Sequence, residues 1–459
     1  MPPGASGSPC AARAGRRRVT ALRAYREHLR AVPLHRRLGQ VRRLQGLAID
    51  AEGPQATIGE LCRIRAAGQG GDGVLAEVVG LRGGEVTLMA YGSTQGIGAG
   101  DEVVALGHHS DVPVGSQLLG RVIDGFGQPL DGRPAPATRA RRPLHAPAPN
   151  PLQRPRIERV LETGVRCIDG LLTIGRGQRV GIFAGSGVGK STLLGMVARH
   201  VKAQVNVIAL VGERGREVRE FIEKQLGPEG LARSVVVVAT SDQPALARLR
   251  AAHAAVAIAG HFAESGGDVV LTMDSVTRLA MARREVGLAA GEPATARGYT
   301  PSVFAELPQI CERCGTTPSG GSVTALLTVL VEGDDFNEPV ADSLRAILDG
   351  HVVLSRALAQ QGHYPAIDVL QSASRLLPDL ATSDERALVV RTVQQLAVLE
   401  RNRQMVDLGA YQHGTNAALD EALALEPSLQ GWLRQDGGGI PRAESLRALA
   451  GILGKGKAA

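Results

Sequence analysis

The chain has 459 residues, and at roughly 150 residues per domain this length predicts about three domains. Hydrophobic residues make up 44% and charged residues 21%, which is typical of globular proteins and argues against disorder throughout. Aromatic residues reach only 3%, so a nucleic-acid surface built on stacked rings is poorly supplied. The net charge is +7, and its position along the chain decides what it means.

The positive charge is concentrated at the N-terminus. Residues 1–45 hold eleven arginines, no lysine and one acid, Glu27, so this segment carries +10 and the remainder −3. We expect residues 1–18 to be disordered. Apolar residues then recur at spacings of three and four, which predicts an amphipathic helix with an arginine-rich opposite face. Two interpretations stay open, a solvated helix packed on its own domain and a docking arm for an acidic partner or anionic lipid. The residues of that pattern are Val19, Leu22, Tyr25, Arg26 and Leu29.

The lack of a recognisable targeting segment and the pattern of cysteines predict a cytoplasmic protein. No apolar run is long enough to predict a transmembrane helix, and the first residues lack the apolar core of a signal peptide. The five cysteines are scattered, which is typical of a reduced protein. Cys311 and Cys314 form a single C-x-x-C without a second ligand pair at suitable spacing, so a zinc site is not favoured there.

The first half of the chain is predicted to be β-structure followed by a linker. Over 46–125, short strand-like runs alternate with glycine-rich turns, which favours a small β-barrel or sandwich. Residues 131–155 contain seven prolines and five arginines, a composition typical of an extended linker.

From Gly164 onward the pattern changes to an α/β one. Continuous apolar runs bounded by glycine alternate with helical stretches, as expected for a parallel sheet covered on both faces. After Pro378 the pattern is helical. We therefore predict an α/β nucleotide-binding domain over 126–378, which opens with the linker, and a C-terminal helical domain over 379–459. The predicted sheet strands lie at 179–184, 205–211, 234–240, 268–273 and 323–332, with a long helix at about 244–265.

The strongest motif is A-G-S-G-V-G-K-S at 184–191, between a strand and a helix. It matches the phosphate-binding loop G-x-x-x-x-G-K-[ST] except that Ala184 replaces the first glycine, a small residue at a strand end. Backbone N–H groups of such a loop surround phosphate oxygens, and the helix dipole adds to their attraction. Lys190 is expected to reach the β- and γ-phosphates and Ser191 to bind Mg²⁺. The predicted nucleotide-binding residues are Gly185, Ser186, Gly187, Val188, Gly189, Lys190, Ser191 and Thr192.

Two acids lie at the ends of strands in the predicted sheet. Asp274 ends an apolar run, as does a Walker-B carboxylate that holds the Mg²⁺ shell. Glu213 is placed to polarise a water in line with the γ-phosphate. Because strand C-termini meet at one edge of a parallel sheet, both acids are expected near the phosphate loop.

Several arginines and one tyrosine complete the candidate site. Tyr364 precedes a proline, and its ring could stack on adenine or pack in a core or interface. The arginines that could stabilise transition-state charge, or else form surface ion pairs, are Arg214, Arg278, Arg356 and Arg375.

Taken together, these motifs resemble the type III export ATPases. The segments AGSGVGKST, VGERGREVREF, GYTPSVFAELP and GHYPAIDVLQSASR carry the resemblance, which runs from about residue 19 to about 435. That family is related to the catalytic subunits of rotary ATP synthases. The flagellum-specific branch fits best, on the phrase DLGAYQHGTN at 407–416, and the virulence-injectisome branch stays open.

The resemblance implies roles for single residues. Lys190 and Ser191 match the phosphate-loop lysine and the Mg²⁺ ligand, and Asp274 matches the Walker-B aspartate. Glu213 matches the glutamate that activates the attacking water, a position at which non-catalytic subunits of the rotary head differ. The remaining matches are Arg214 and Arg278 near the γ-phosphate, Tyr364 on adenine, and Arg375 as the arginine finger that reaches a neighbouring subunit's nucleotide.

The same resemblance implies an architecture and an activity. We expect a RecA-like P-loop core with an N-terminal β-barrel and a C-terminal helical domain, assembled as a homohexamer that hydrolyses ATP with Mg²⁺. Its work would be to release chaperones from export substrates and unfold them at the membrane export gate. Implied partners are a stator-like regulator bound by the N-terminal arm, a central stalk protein, export gate proteins, substrate–chaperone complexes and an anionic lipid surface, with no nucleic acid. The implied location is the cytoplasmic side of the inner membrane.

Three other classes are weaker matches. A hexameric RNA or DNA motor of the transcription-terminator type shares the core and barrel, but the body of this chain is net negative and poor in aromatic residues. A non-catalytic rotary subunit is disfavoured by Glu213. A small-molecule P-loop kinase does not account for the additional domains or for Arg375 far along the chain.

Overall fold

A computed structural model describes residues 35–65, 72–331, 333, 335–336 and 338–455. The predicted disordered segment 1–18 and the amphipathic helix after it lie outside the described residues. The chain divides into two compact units, 1–109 and 110–459. No helix in the described part of the chain is long and apolar enough to cross a membrane.

The first unit is a closed six-stranded barrel. All neighbouring strands are antiparallel and follow the order β1-β2-β5-β4-β3-β6, with β1 pairing β6 to close it. Closure leaves no unpaired edge on which another strand could add. Alternate residues such as Ile49, Ile64 and Leu88 point inward and are fully buried. The strands are β1 Arg37–Gln45, β2 Ala48–Glu52, β3 Glu60–Arg65, β4 Val74–Arg82, β5 Glu85–Ala90 and β6 Glu102–His109.

The barrel begins earlier than predicted. We assigned 1–45 to a basic arm, yet β1 lies within that segment and supplies one wall of the barrel. Its one buried side chain is Val41, so the strand has almost no hydrophobic signal. Its arginines face carboxylates on other strands of the barrel, as Arg43 does with Asp50 at 2.8 Å. Part of the +10 charge is therefore paired within the barrel.

The second unit is built on a nine-stranded sheet, mostly parallel. Its main order is β19-β18-β12-β17-β15-β13-β14-β8, and the short β16 pairs β17 off this path. Only β16 and β19 run antiparallel to their neighbours in this sheet. The strands are β8 Arg121–Ile123, β12 Arg179–Ala184, β13 Val205–Glu213, β14 Ser234–Thr240, β15 Asp268–Asp274, β16 Gly315–Thr316, β17 Ser322–Leu330, β18 Gly350–Leu354 and β19 Ile367–Ser374.

The barrel also ends earlier than predicted. We expected it to reach residue 125, but the strand-like runs after His109 belong to the second unit. There β8 extends the large sheet by pairing β14 in parallel. Within the predicted linker, one strand forms part of a small ladder. The two small ladders of this unit pair β7 Asp111–Val114 with β9 Ala140–Pro143, and β10 Val160–Leu161 with β11 Ile174–Gly175.

Helices cover the sheet and complete the unit. The long alanine-rich helix predicted at about 244–265 is α5, which packs on β13, β14 and β15. The helices are α1 Arg166–Leu171, α2 Lys190–His200, α3 Gly215–Glu220, α4 Gly227–Ala232, α5 Ala245–Glu264, α6 Val276–Ala289, α7 Pro301–Glu312, α8 Pro339–Ile347, α9 Arg356–Gln360, α10 Leu377–Leu380, α11 Ser383–Asp407, α12 Ala417–Leu433 and α13 Arg442–Lys455.

The three C-terminal helices share a core with the sheet. Leu429, Trp432 and Leu449 are buried in the same hydrophobic cluster as the residues beneath the phosphate loop. Gln435 adds polar contacts, since its side-chain oxygen accepts from the Arg166 backbone N–H at 2.9 Å. The helical segment that we predicted from 379 is therefore packed into the same compact unit as the nucleotide-binding fold.

Candidate active site

The phosphate loop connects β12 to α2, as predicted. The helix begins at Lys190, and Gly189 before it has a positive φ of 87°. A side chain at position 189 would also lie 3.2 Å from the Tyr364 ring. Glycine is thus required here both by the backbone conformation and by the close approach of the tyrosine.

A pocket of about 520 Å³ opens above this loop. It is bounded by the carboxyl ends of β12, β17 and β13, which is where parallel sheets bind ligands. The side chain of Val188, which we predicted among the nucleotide-binding residues, is buried in the core beneath the loop. The predicted residues that line the pocket are Gly185, Ser186, Gly187, Gly189, Lys190, Ser191, Thr192, Glu213, Arg214, Arg278 and Arg356.

Lys190 lies between the two predicted acids. Its Nζ donates to Asp274 Oδ1 and is 3.6 Å from Glu213 Oε1. All three side chains are largely buried. Burying a charged group is unfavourable unless it is paired, so the two carboxylates compensate the lysine. The same charge is positioned for phosphate oxygens at the loop.

Glu213 is aimed at the pocket by an irregularity in its strand. The register of β13 against β14 shifts between Val211 and Glu213, and the intervening Gly212 has a positive φ of 74°. The aliphatic part of Arg278 packs against Gly212. Burial, opposed by Lys190, raises the pKa of Glu213 to about 7. A carboxylate with this pKa can gain and lose a proton near neutral pH.

Asp274 is held at the end of β15 by two donors. Besides Lys190, the Thr328 hydroxyl donates to Asp274 Oδ1 at 2.8 Å. The next residue, Ser275, caps α6 by accepting from the Arg278 backbone N–H at 3.3 Å. The capped turn therefore positions Asp274 and Arg278 together.

The arginines differ in their placement. Arg278 and Arg214 line the pocket on the side of Glu213, and Arg214 also pairs with Glu217 at 3.3 Å. Arg356 begins α9, directly beyond the strand that pairs Leu354 with Ala184. It therefore lies on the other side of the phosphate loop.

Tyr364 lies against the loop without being buried. Its side chain is 41% exposed, and one face contacts Gly189. Its carbonyl accepts from the Gln435 N–H at 2.9 Å, which ties this turn to the segment after α12. An exposed aromatic face beside a phosphate loop can stack on a base.

Arg375 is at the opposite end of the sheet. Ser374 pairs with Gly350, and Gly350 pairs with Val180 near the start of β12. Four strand residues separate this position from Ala184, roughly 13 Å at about 3.3 Å per residue. Arg375 does not line the pocket of its own chain.

The sequence reasoning missed some residues of the site. Glu217 lies in a quoted motif without an assigned role, and it lines the pocket. Thr328 was read as part of an apolar strand, although a hydroxyl in such a run was the available signal. Cys311 and Cys314 are buried free thiols, and the described residues contain no group of three or more side chains able to hold a metal.

Family models match three consecutive parts of the chain. The β-barrel domain of the ATP synthase alpha/beta family matches residues 41–107, and its nucleotide-binding domain matches 164–374. The T3SS EscN ATPase C-terminal domain matches 381–450.

Curated relatives extend over nearly the whole chain. The Bacillus subtilis flagellum-specific ATP synthase is 51% identical, covering 92% of this chain and 96% of that protein. The Salmonella typhimurium flagellum-specific ATP synthase is 50% identical over 94% and 97%. The type 3 secretion system ATPase of Xanthomonas euvesicatoria is 48% identical over 89% and 92%. The chain belongs to the family of flagellar and type III secretion ATPases.

Solved structures of the family agree with the fold. The assembled ATPase EscN of enteropathogenic E. coli matches with a TM-score of 0.86 at 41% identity, covering 90% of this chain and all of EscN. EscN in complex with its central stalk EscO matches with a TM-score of 0.83. The predicted family, three-part fold and ATPase activity are confirmed, and the flagellar and injectisome interpretations both fit.

Proposed function

We propose that this ATPase works as a homohexameric ring that energises protein export at a flagellar apparatus. The observation that carries the proposal is the position of Arg375. The pocket holds the predicted phosphate loop, Lys190, Glu213 and three arginines in one chain. The predicted finger lies at the other end of the sheet, too far to serve the same nucleotide. A neighbouring copy of the chain supplies it.

Within the pocket we assign the chemistry as follows. ATP phosphates lie on the loop N–H groups and Lys190, with adenine on Tyr364. Mg²⁺ prefers oxygen ligands and keeps several waters, and the Ser191 hydroxyl and the Asp274 carboxylate fit that preference. Bound there, Mg²⁺ would supply positive charge to offset the charge that develops on the phosphates. Glu213 accepts the proton of the attacking water, while Arg214, Arg278 and the neighbour's Arg375 stabilise the transition state.

A mixing experiment tests the shared site. Lys190→Ala disables a pocket but keeps the finger, and Arg375→Ala keeps the pocket but removes the finger. Each variant alone is expected to be inactive. Mixed together, some rings place an intact pocket beside an intact finger, so ATP turnover reappears. A mixture as inactive as its components would overturn the shared site, and a mixture of Lys190→Ala with Glu213→Gln serves as the matched control because both changes disable the same pocket.

The partners follow from the family. EscN is seen in complex with its central stalk EscO, and we propose a corresponding stalk protein for this ring. We further propose that residues 1–34, with seven arginines and one acid, contact a stator-like regulator or an anionic lipid surface at the cytoplasmic face of the inner membrane. Export gate proteins and substrate–chaperone complexes complete the proposed set. Binding of residues 1–45 to the regulator, measured directly, tests the arm.

Flagellar and injectisome export remain separable by experiment. We favour the flagellar apparatus because of the segment DLGAYQHGTN at 407–416. Expression in a motile bacterium that lacks its own flagellar ATPase is expected to restore swimming. Restoration of injectisome secretion alone, in a strain lacking that ATPase, would assign the chain to the injectisome instead.

A further inference from the structure

Thr328 is a buried hydroxyl in a central strand of the sheet. It lies on β17, between the strand that carries the phosphate loop and the strand that ends in Asp274. Its side chain is fully buried, and its neighbours along the strand are mostly apolar. Burying a hydroxyl is unfavourable unless it finds a hydrogen-bond partner. The partner therefore indicates what this residue does.

The hydroxyl has two acceptors within reach but only one proton. Asp274 Oδ1 lies at 2.8 Å and the Met273 carbonyl oxygen at 3.2 Å. A hydroxyl donates one hydrogen bond at full strength, and bonds to ionised groups are shorter and stronger than neutral ones. The shorter contact to the carboxylate is therefore the main one.

Backbone N–H groups at and just after the end of β17 also bond to the segments on either side of Asp274 and the phosphate loop. The Leu330 N–H donates to the Thr277 hydroxyl at 2.8 Å, and the Val331 N–H donates to the Ala184 carbonyl at 3.1 Å. These bonds connect the strand to the first turn of α6 on one side and to the phosphate loop on the other. Thr328 thus acts on Asp274 from a fixed position.

We propose that Thr328 is a positioning residue that orients the Asp274 carboxylate for the Mg²⁺ of bound nucleotide. Lys190 also contacts Asp274 Oδ1 in this structure, but its charge is needed at the phosphates once nucleotide is present. Thr328 then remains as the donor from the protein interior that holds the carboxylate. The inference rests on the proposed role of Asp274 as a metal ligand.

The test compares nucleotide affinity with and without Mg²⁺. The probe is a fluorescent ADP analogue titrated into the full chain, first in EDTA and then at increasing MgCl₂. Thr328→Val keeps the shape and removes the hydroxyl. It is expected to raise the Mg²⁺ concentration for half-maximal binding about tenfold, the size expected for one lost bond to a charged group, and to leave affinity in EDTA unchanged. Thr328→Ser is expected to restore wild-type behaviour, and Thr328→Ala repeats the test if the valine variant does not fold.

Thr324 offers a matched control. It is buried on the same strand, and its hydroxyl accepts from the Gly177 N–H at 2.8 Å, at the end away from the pocket. Thr324→Val is expected to lower the melting temperature without changing the Mg²⁺ dependence. Unchanged Mg²⁺ dependence in Thr328→Val, or an equal change in Thr324→Val, would overturn the inference. Asp274→Asn separates the two proposals, because normal Mg²⁺ dependence in that variant would show that the assigned metal role itself is wrong.

Discussion

At the carboxyl end of the central sheet, Lys190 is buried between Asp274 and Glu213, whereas at the amino end Arg375 is exposed. Within the described part of the chain Arg375 forms no ion pair, and its guanidinium donates to the Arg345 carbonyl oxygen at 3.1 Å. The lysine is compensated inside one chain, and the arginine is left available to a second molecule. The contrast indicates that one end binds the nucleotide and the other serves a neighbour.

Removal of the Lys190 charge is expected to have the largest effect on ATP turnover and nucleotide affinity. Lys190→Ala leaves Asp274 and Glu213 facing each other without a counter-charge and removes the phosphate contact. ATP turnover should fall to background and nucleotide affinity should drop sharply, as measured by phosphate release and by binding of a fluorescent analogue. Lys202→Ala is the control, since that lysine is 61% exposed and pairs with Glu162 on the surface. A Lys190→Ala variant that turns over ATP normally would contradict the placement of the site.

Removal of the exposed arginine should separate binding from turnover. Arg375→Ala is expected to abolish ATP hydrolysis, because a finger contributes roughly 10³-fold or more to turnover. Nucleotide affinity of the isolated chain should stay within about twofold, since Arg375 does not line its own pocket. Arg401→Ala serves as control, because Arg401 is an exposed arginine that donates to the Ala397 carbonyl of its own helix. Equal loss of affinity and turnover would place Arg375 in the pocket of its own chain.

The pH dependence of turnover tests the role of Glu213, which is buried at the carboxyl end of the sheet. Burial raises the pKa of Glu213 to about 7, and the proton-accepting form is the deprotonated one. The value of kcat/KM, which reports on the free enzyme, should therefore rise with pH through about 7 and level off above it. Hydrolysis measured between pH 5.5 and 9 under subsaturating ATP provides the check. A flat profile across neutral pH would show that Glu213 is not the group that accepts the proton.

The contribution of Glu213 to folding stability changes with pH in the opposite direction to its contribution to turnover. A carboxyl group whose folded pKa is raised binds its proton more tightly in the folded protein than in the unfolded chain. Glu213 therefore favours folding at low pH, and this contribution is lost as pH rises from its ordinary value of 4.5 towards 7. Between about pH 4.5 and 7, the fraction of deprotonated, active Glu213 rises while its contribution to the free energy of unfolding falls. Such a conflict between activity and stability is expected for a catalytic group with a shifted pKa.

The sequence was most informative where pattern and chemistry agree. Continuous apolar runs predicted β12 and β14 at their observed bounds, because strands buried on both faces contain little else. The loop, Glu213 and Asp274 were found because strand ends and motifs coincide. Thr328 was missed since its role depends on a carboxylate 54 residues away along the chain. Sequence spacing cannot reveal such a contact.

The barrel boundary was missed for a related reason. The strand β1 buries only Val41, and its arginines face carboxylates on other strands, so its sequence resembles a charged arm. Period-two alternation is visible only when one face is apolar. The reason that β1 forms a strand therefore lies partly in the carboxylates of other strands, which its own sequence does not show.

The arginines of residues 1–45 lie away from both ends of the sheet along the chain. Deletion of the first of them is expected to have the smallest effect of the changes considered. Deletion of residues 1–18 leaves in place every core residue of the barrel that the structure describes, and we therefore expect the melting temperature to change by no more than about 1 °C. Deletion of 1–45 removes β1 and opens the barrel between β2 and β6, and the barrel should then unfold at lower temperature. Thermal unfolding of both variants, followed by circular dichroism, distinguishes them. If the short deletion destabilised the chain as much as the long one, the first arginines would belong to the fold and not to a docking arm.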